Sequence, residues 1–288
     1  MQSLYTLATG ETNNRRILGK SEELSVRYHD LFDFPLTFSE LIKWNTSGDV
    51  FFGRHETPVS FRDGYYFLRG REGLVYKRAL RNRISAKKTE IAKKASRVLS
   101  LIPAVLMVAV TGSLAMGNAA DDGDIDLLII TSKNLLWTTR MFSYVLLKIF
   151  GFDIRKSGKI IQKDKLCLNM WMDETDLVWR KNDRNLYTAH EISQVMPLVN
   201  KNCMYEKFMS KNIWILKYWP NAVKISKHKE ENTKHLFKNP ALSLFEKLAF
   251  DLQYGFMKSK ITKEVTTPTR AIFHPQDLGK LVIPRLAS

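Results

Sequence analysis

Residues 105–131 read VLMVAVTGSLAMGNAADDGDIDLLIIT. An apolar run (105–110) ends in Gly112-Ser113, and a short apolar segment follows. Eleven residues after Ser113 comes Asp124-Ile125-Asp126, which leads straight into a second apolar run, 127–130. A strand alternates its faces, so Asp124 and Asp126 point one way and Ile125 the other. Two carboxylates whose Cβ atoms lie on the order of 7 Å apart on one face suit hard, oxygen-loving cations such as Mg²⁺. Gly112 lets the backbone approach a ligand closely. The helix start that follows offers free N–H groups to a phosphate, with the Ser113 hydroxyl beside them.

Gly-Ser after one strand, a spacer of about ten residues and Asp-x-Asp in a second strand together resemble the signature of the DNA polymerase beta-like nucleotidyltransferase superfamily. The motif resemblance covers roughly residues 100–175. The whole chain is also similar to a group of bacterial nucleotidyltransferase-domain proteins in which a winged-helix-like segment precedes the domain and a helical region follows it. The resemblance implies an α+β fold: a small mixed sheet with helices packed on it, flanked by those two regions. It also implies transfer of a nucleoside monophosphate from an NTP to a hydroxyl, with release of pyrophosphate. In that scheme Asp124 and Asp126 hold two Mg²⁺ ions on the order of 3.5–4 Å apart. Gly112 and Ser113 cradle the β- and γ-phosphates, and Arg140 or Lys165 neutralises phosphate charge. Active members add a third carboxylate from a neighbouring strand, to help bind the metal and take the nucleophile's proton.

The strand expected to carry that acid is KLCLNMWMDE, 165–174. Alternation puts Leu166, Leu168, Met170 and Met172 on a core face. Lys165, Cys167, Asn169, Trp171 and Asp173 fall on the other. The aligned position is Asn169, which offers a carbonyl to a cation but neither charge nor basicity. Asp173 lies about 13 Å further along the same face. Three readings follow: an active enzyme, a nucleotide- or nucleic-acid-binding module of the same fold without turnover, or a structural adaptor whose basic face meets an acidic partner.

Composition bounds the rest. A chain of 288 residues with 44% hydrophobic and 26% charged residues is globular rather than disordered. Lys and Arg number 45 against 29 Asp and Glu, a net charge of +16, which favours polyanionic partners. Two cysteines, Cys167 and Cys203, provide neither a disulfide framework nor a zinc site, and Cys167 reads as a small core residue. No secretory signal is evident, and the apolar stretch 98–116 is interrupted by Pro103, Gly112 and Ser113. The expectation is a cytoplasmic protein without membrane association.

Along the chain, 1–20 reads as a loose arm and 21–97 as a winged-helix-like segment ending in a basic helix. The nucleotidyltransferase domain follows at 98–180 and a C-terminal helical region at 181–288. Residues 21–34 have helical spacing. Thr37 and Glu40 form a capping box that opens a second helix, and Asp63-Gly64 marks a hairpin. A third, recognition helix has no clear pattern in 47–56. From Arg69 to Arg97 eleven basic residues face only Glu72 and Glu90. This segment is a candidate contact for the phosphate backbone of RNA or DNA, with Arg81 and Lys88 as its test positions. His190 and His274 read as structural. Helices are expected near 135–150, 185–196, 205–219 and 241–258.

Overall fold

A computed structural model describes residues 18–49, 57–156, 162–225, 240–258, 265–273 and 278–287. The N-terminal unit comprises α1 (Lys20–Asp30), β1 (Leu36–Thr37), α2 (Phe38–Lys43), β2 (Val59–Arg62) and β3 (Tyr65–Leu68). Thr37 caps α2 by accepting from Glu40 N–H while the Glu40 carboxylate accepts from Thr37 N–H, the capping box that the sequence spells. Asp63 and Gly64 take φ of 50° and 84° between β2 and β3. Two left-handed residues match the twist of paired strands, so the Asp-Gly hairpin forms. The three strands pair antiparallel in the order β1-β3-β2. Among the described residues no third helix stands between α2 and β2. Most of the 47–56 segment, like His274 and most of the Lys-rich stretch after 224, lies outside them.

A single helix of 28 residues, α3 (Gly73–Ser100), carries the chain into the central sheet. That sheet contains β4 (Val105–Val110), β5 (Ile125–Thr131), β6 (Leu166–Asp173), β7 (Met196–Asn200), β8 (Val265–Thr267) and β9 (Arg270–Ile272), in the order β7-β4-β5-β6-β9-β8. β5 and β6 are parallel and the other pairs antiparallel, so the sheet is mixed. α5 (Leu136–Ile149) makes the crossover that a parallel pair needs, after the short α4 (Gly112–Ala115) between β4 and β5. Three of the six strands therefore come from the region expected to be helical. They are three to five residues long and β7 contains Pro197, too little pattern for a sequence reading to find.

Helices cover both faces. One core holds Leu127 and Ile129 of β5 against Ala92, Ala95 and Leu99 of α3 and Trp137 of α5, with α8 (Pro240–Met257) outside. The other holds Leu128 and Ile130 against α6 (Leu186–Ser193), α7 (Met204–Lys211) and the 3₁₀ turn Ile213–Lys217. The same core takes in the N-terminal unit through Val26, Tyr28, Leu36 and Trp44, so that unit shares a core with the sheet. α9 (Leu278–Ala287) packs on α6 and α1. Among the described residues no helix is long and apolar enough to cross a membrane.

One irregularity sets the site. Asp126 pairs with Cys167, but Leu128 pairs with Met170, so Leu168 and Asn169 together oppose Leu127 alone. This bulge breaks the alternation expected for β6. Leu166, Leu168 and Trp171 enter the α3/α5 core, whereas Met170 and Met172 enter the other. Every residue of β6 is buried, so nothing in the hydropathy pattern reveals the change of face.

Candidate active site

Gly112 follows the end of β4 with φ of 61°, a left-handed backbone that suits glycine. A Cβ at this position would stand 3.1 Å from Asp126 Oδ2. Glycine is thus required twice, by backbone conformation and by the closeness of the carboxylate. Thr111 N–H donates to Asp126 C=O (3.1 Å), which ties the Gly-Ser turn to the start of β5. Ser113 is exposed and lines the same cleft as Gly112, Asp126 and Asn169.

α3 braces the spacer between the two halves of the motif. Arg81 donates to Asn118 Oδ1 (3.0 Å), and Ser85 Oγ accepts from Ala119 N–H (3.0 Å). Lys88 donates to Asp121 C=O (3.1 Å), Gly123 C=O (2.6 Å) and Asp164 Oδ1 (2.7 Å). Positions 81, 85 and 88 share one helix face. Arg81 also donates to Phe32 C=O (3.2 Å), and Lys88 is buried. The expectation that Arg81 and Lys88 present charge to nucleic acid is corrected by these contacts: both are internal braces. Arg71, Lys77 and Arg78 are likewise engaged, with Asp30, Asp33 and Glu40. Arg83, Lys87, Lys94 and Arg97 remain exposed on a common stripe.

Asp124, Asp126 and Cys167 bring a ligand atom each to within 4.8 Å of one another. Asn169 Nδ2 donates to Asp126 Oδ1 (2.7 Å), so the structure brings Asn169 to the pair. The Asn169 carbonyl, Oδ1, is buried with no hydrogen-bond partner. Burial, then the neighbouring Asp124 charge, raises Asp126 from the ordinary carboxylate range to about 6. Burial also pushes the Cys167 thiol upward, helped by the charges of Asp126 and Asp124, which keeps it neutral. Cys167 is buried as expected, and its sulfur also lies beside the paired aspartates.

Neither Arg140 nor Lys165 lines the cleft. Arg140 stacks against Tyr144, Phe273 and Trp137 and donates to Gln253 Oε1 (2.5 Å), outside the cleft lining. Lys165 precedes β6, where its carbonyl accepts from Ile125 N–H (2.9 Å), and it does not line the cleft either. Arg155 lies beside the acids instead: Nη1 donates to Asp124 Oδ2 at 2.7 Å and lies 3.5 Å from Cys167 Sγ. Asp173 serves the opposite end of β6, accepting from Asn134 N–H (2.6 Å) and from Thr175 N–H and Oγ (2.8 and 2.6 Å).

The cleft has a volume of about 1160 Å³. The sheet forms its floor through Asp126, Leu128 and Asn169. His29, Phe32 and Phe34 of the N-terminal unit form one wall, Tyr187 and Glu191 of α6 another, and Lys280 and Ile283 of α9 complete it. His29 Nδ1–H donates to Ser25 C=O (2.7 Å), which leaves Nε2 to accept from His190 Nε2–H (3.1 Å). Burial lowers His29 to about 3 and His190 well below its usual value, so the pair is neutral. His190 is structural, as expected, and joins α6 to α1.

With that geometry in place, residues 91–178 match the family model described as the nucleotidyltransferase domain. The chain carries a nucleotidyltransferase domain. That match is consistent with a polymerase beta-like nucleotidyltransferase core. No curated protein matches the chain. The matched stretch contains the Gly-Ser turn, both aspartates, Arg155 and Asn169, while the walls of the nucleotidyltransferase cleft come from outside it. Arg155 and Glu191 were not found from sequence: neither sits in a motif, and only the folded chain brings them to the aspartates.

Proposed function

We propose that the chain is a Mg²⁺-dependent nucleotidyltransferase that moves a nucleoside monophosphate from an NTP to a hydroxyl acceptor and releases pyrophosphate. The observation that carries this reading is the seat at Gly112, where the backbone closes to within a methyl group of Asp126 beside a buried, unpartnered carbonyl of Asn169. The donor chemistry fits a hard divalent cation. Asp124, Asp126 and Asn169 Oδ1 offer oxygen, and the neutral thiol of Cys167 is a poor ligand for Mg²⁺. Bound there, Mg²⁺ would acidify the acceptor hydroxyl and neutralise triphosphate charge.

The chain's own groups do the rest by positioning. The Gly112 backbone admits a phosphate without steric conflict, and the Ser113 hydroxyl donates to it. Arg155 pairs with Asp124 through a half-exposed guanidinium, an interaction worth no more than about 1 kcal/mol. The guanidinium therefore leaves Asp124 at little cost when a cation arrives, and turns to the triphosphate. A cleft of about 1160 Å³ exceeds the usual range for one small ligand, roughly 300–1000 Å³, and takes a nucleotide with part of its acceptor.

Asn169 in place of an acid, with Arg155 already neutralising Asp124, favours a second reading: a nucleotide-binding module without turnover. Calorimetry with a non-hydrolysable NTP analogue separates the two. An enzyme site binds the analogue only with Mg²⁺ and loses it in the Asp124→Asn/Asp126→Asn variant. A binding module keeps or gains affinity in that variant, without the metal.

A further inference from the structure

The step proposed above needs a group to receive the acceptor's proton, and the Asn169 amide has no basicity. Among the described residues three carboxylates line the cleft: Asp126, Asp183 and Glu191. Asp126 is committed to the cation. Asp183 is exposed on the Lys181–Asp183 turn. Glu191 is the one whose charge interacts with Asp126.

Its placement is well defined. Asn185 and Thr188 form a capping box at the start of α6, and Ser193 Oγ donates to Ala189 C=O (2.6 Å). His190, next to Glu191, is wedged among Trp44, Trp219, Tyr28 and His29. A helix held this way fixes the direction in which Glu191 leaves it. Gln194 Nε2 donates to Glu191 Oε1 (2.7 Å), which orients the carboxylate. The Asn169 carbonyl, buried and without a hydrogen-bond partner, is a further polar atom on the lining of this cleft.

We propose that Glu191 is the proton acceptor of the transfer reaction, supplying from α6 the basicity that Asn169 lacks on β6. This rests on the reading of the site as a nucleotidyltransferase centre. In the step, the acceptor O–H gives its proton to a Glu191 oxygen. The acceptor oxygen forms a bond to the α-phosphorus, and the bond from that phosphorus to the bridging oxygen of pyrophosphate breaks, its electron pair leaving with pyrophosphate. Glu191 then returns its proton to solvent. Burial raises Glu191 above the ordinary carboxylate range, the direction a base near neutral pH needs, and the Asp126 charge adds to this only while no cation is bound. The titratable and charged groups that share the cleft with it are Asp126, Arg155, Arg81 and Arg270, His29 of α1, Arg180 and Asp183 of the loop before α6, Tyr187 and His190 of its own helix and Lys280 of α9, and its charge also reaches Tyr28.

The test is label transfer from α-³²P-ATP and Mg²⁺ to total RNA, protein and small-molecule fractions of a cell extract, at pH 5.5 to 8.5, by the full chain and by Glu191→Gln. The unmodified protein should show a rate that rises with pH towards neutrality. Glu191→Gln should transfer on the order of 100-fold more slowly, without that rise, at an unchanged KM for ATP. Transfer within threefold of the parent, with the same pH limb, would overturn the proposal alone. Equal loss of Mg-ATP binding would also overturn it, by making Glu191 a structural residue. Absence of transfer by the unmodified protein at every pH would remove the underlying reading and this one with it.

Discussion

At Gly112 the requirements of backbone and chemistry coincide. Alanine there would face a left-handed φ and a carboxylate oxygen at 3.1 Å. Gly112→Ala should cost about 1–2 kcal/mol of stability and weaken Mg-NTP binding roughly tenfold or more, because Asp126 must turn away. Denaturant unfolding and calorimetry check the two parts separately. Arg155 makes the opposite kind of prediction. Arg155→Gln should raise Mg²⁺ affinity in the absence of nucleotide, by freeing Asp124, and lower nucleotide affinity in its presence. A parallel fall in both would mean that the arginine only shapes the site. For Asp126 the sign follows from its raised pKa. Between about pH 4 and 6 the folded chain keeps a proton that the unfolded chain has lost, so stability contributed by this group falls as pH rises through that window. Asp126→Asn should therefore stabilise the metal-free protein by on the order of 1–3 kcal/mol at pH 7.5 and by nothing near pH 4. The replacement amide can still accept from Asn169 through its oxygen.

Among the elements, α3 illustrates how charge counting misleads. Nine basic residues along this helix suggest a polyanion surface, yet Lys88 is buried with three oxygen partners that fix the loop leading to Asp124. Lys88→Ala should cost on the order of 2–4 kcal/mol, whereas Lys94→Ala, at an exposed position, should stay within about 0.5 kcal/mol. Thermal or urea unfolding of the pair decides it. Nucleic-acid contact, where it occurs through this helix, falls to Arg83, Lys87, Lys94 and Arg97, and removing their charge should flatten the salt dependence of binding. The strand β6 is the second instructive element. Its bulge places both Asn169 and Met170 on the cleft. Sequence alternation aligned Asn169 with the aspartates and still misplaced Met170 and Met172, because both faces of the strand are covered and neither is polar. The Gly112/Asp126 half of the site was legible because its residue types recur at a spacing that chemistry imposes. Arg155 and Glu191 were not, since nothing local distinguishes an arginine after a helix or a glutamate within one.

Taken as a whole molecule, the chain builds its cleft from parts far apart in sequence. The matched domain supplies the floor, and the N-terminal unit, α6 and α9 supply the walls. The His29–His190 pair, Tyr28, Trp44 and Trp219 make the N-terminal unit continuous with the second core. Unfolding of the intact chain should therefore be a single transition by tryptophan fluorescence and circular dichroism alike. A chain lacking residues 18–68 should expose Leu106, Met107 and Trp219 and fail to fold cooperatively. The account as a whole rests on turnover at the paired aspartates. The most direct measurement incubates the protein with each α-³²P-NTP and Mg²⁺, with and without total cellular RNA and protein extract, beside the Asp124→Asn/Asp126→Asn variant. Label entering one acceptor pool with the unmodified protein alone is the predicted result. Absence of transfer to any pool, with NTP still bound by both proteins, would contradict it.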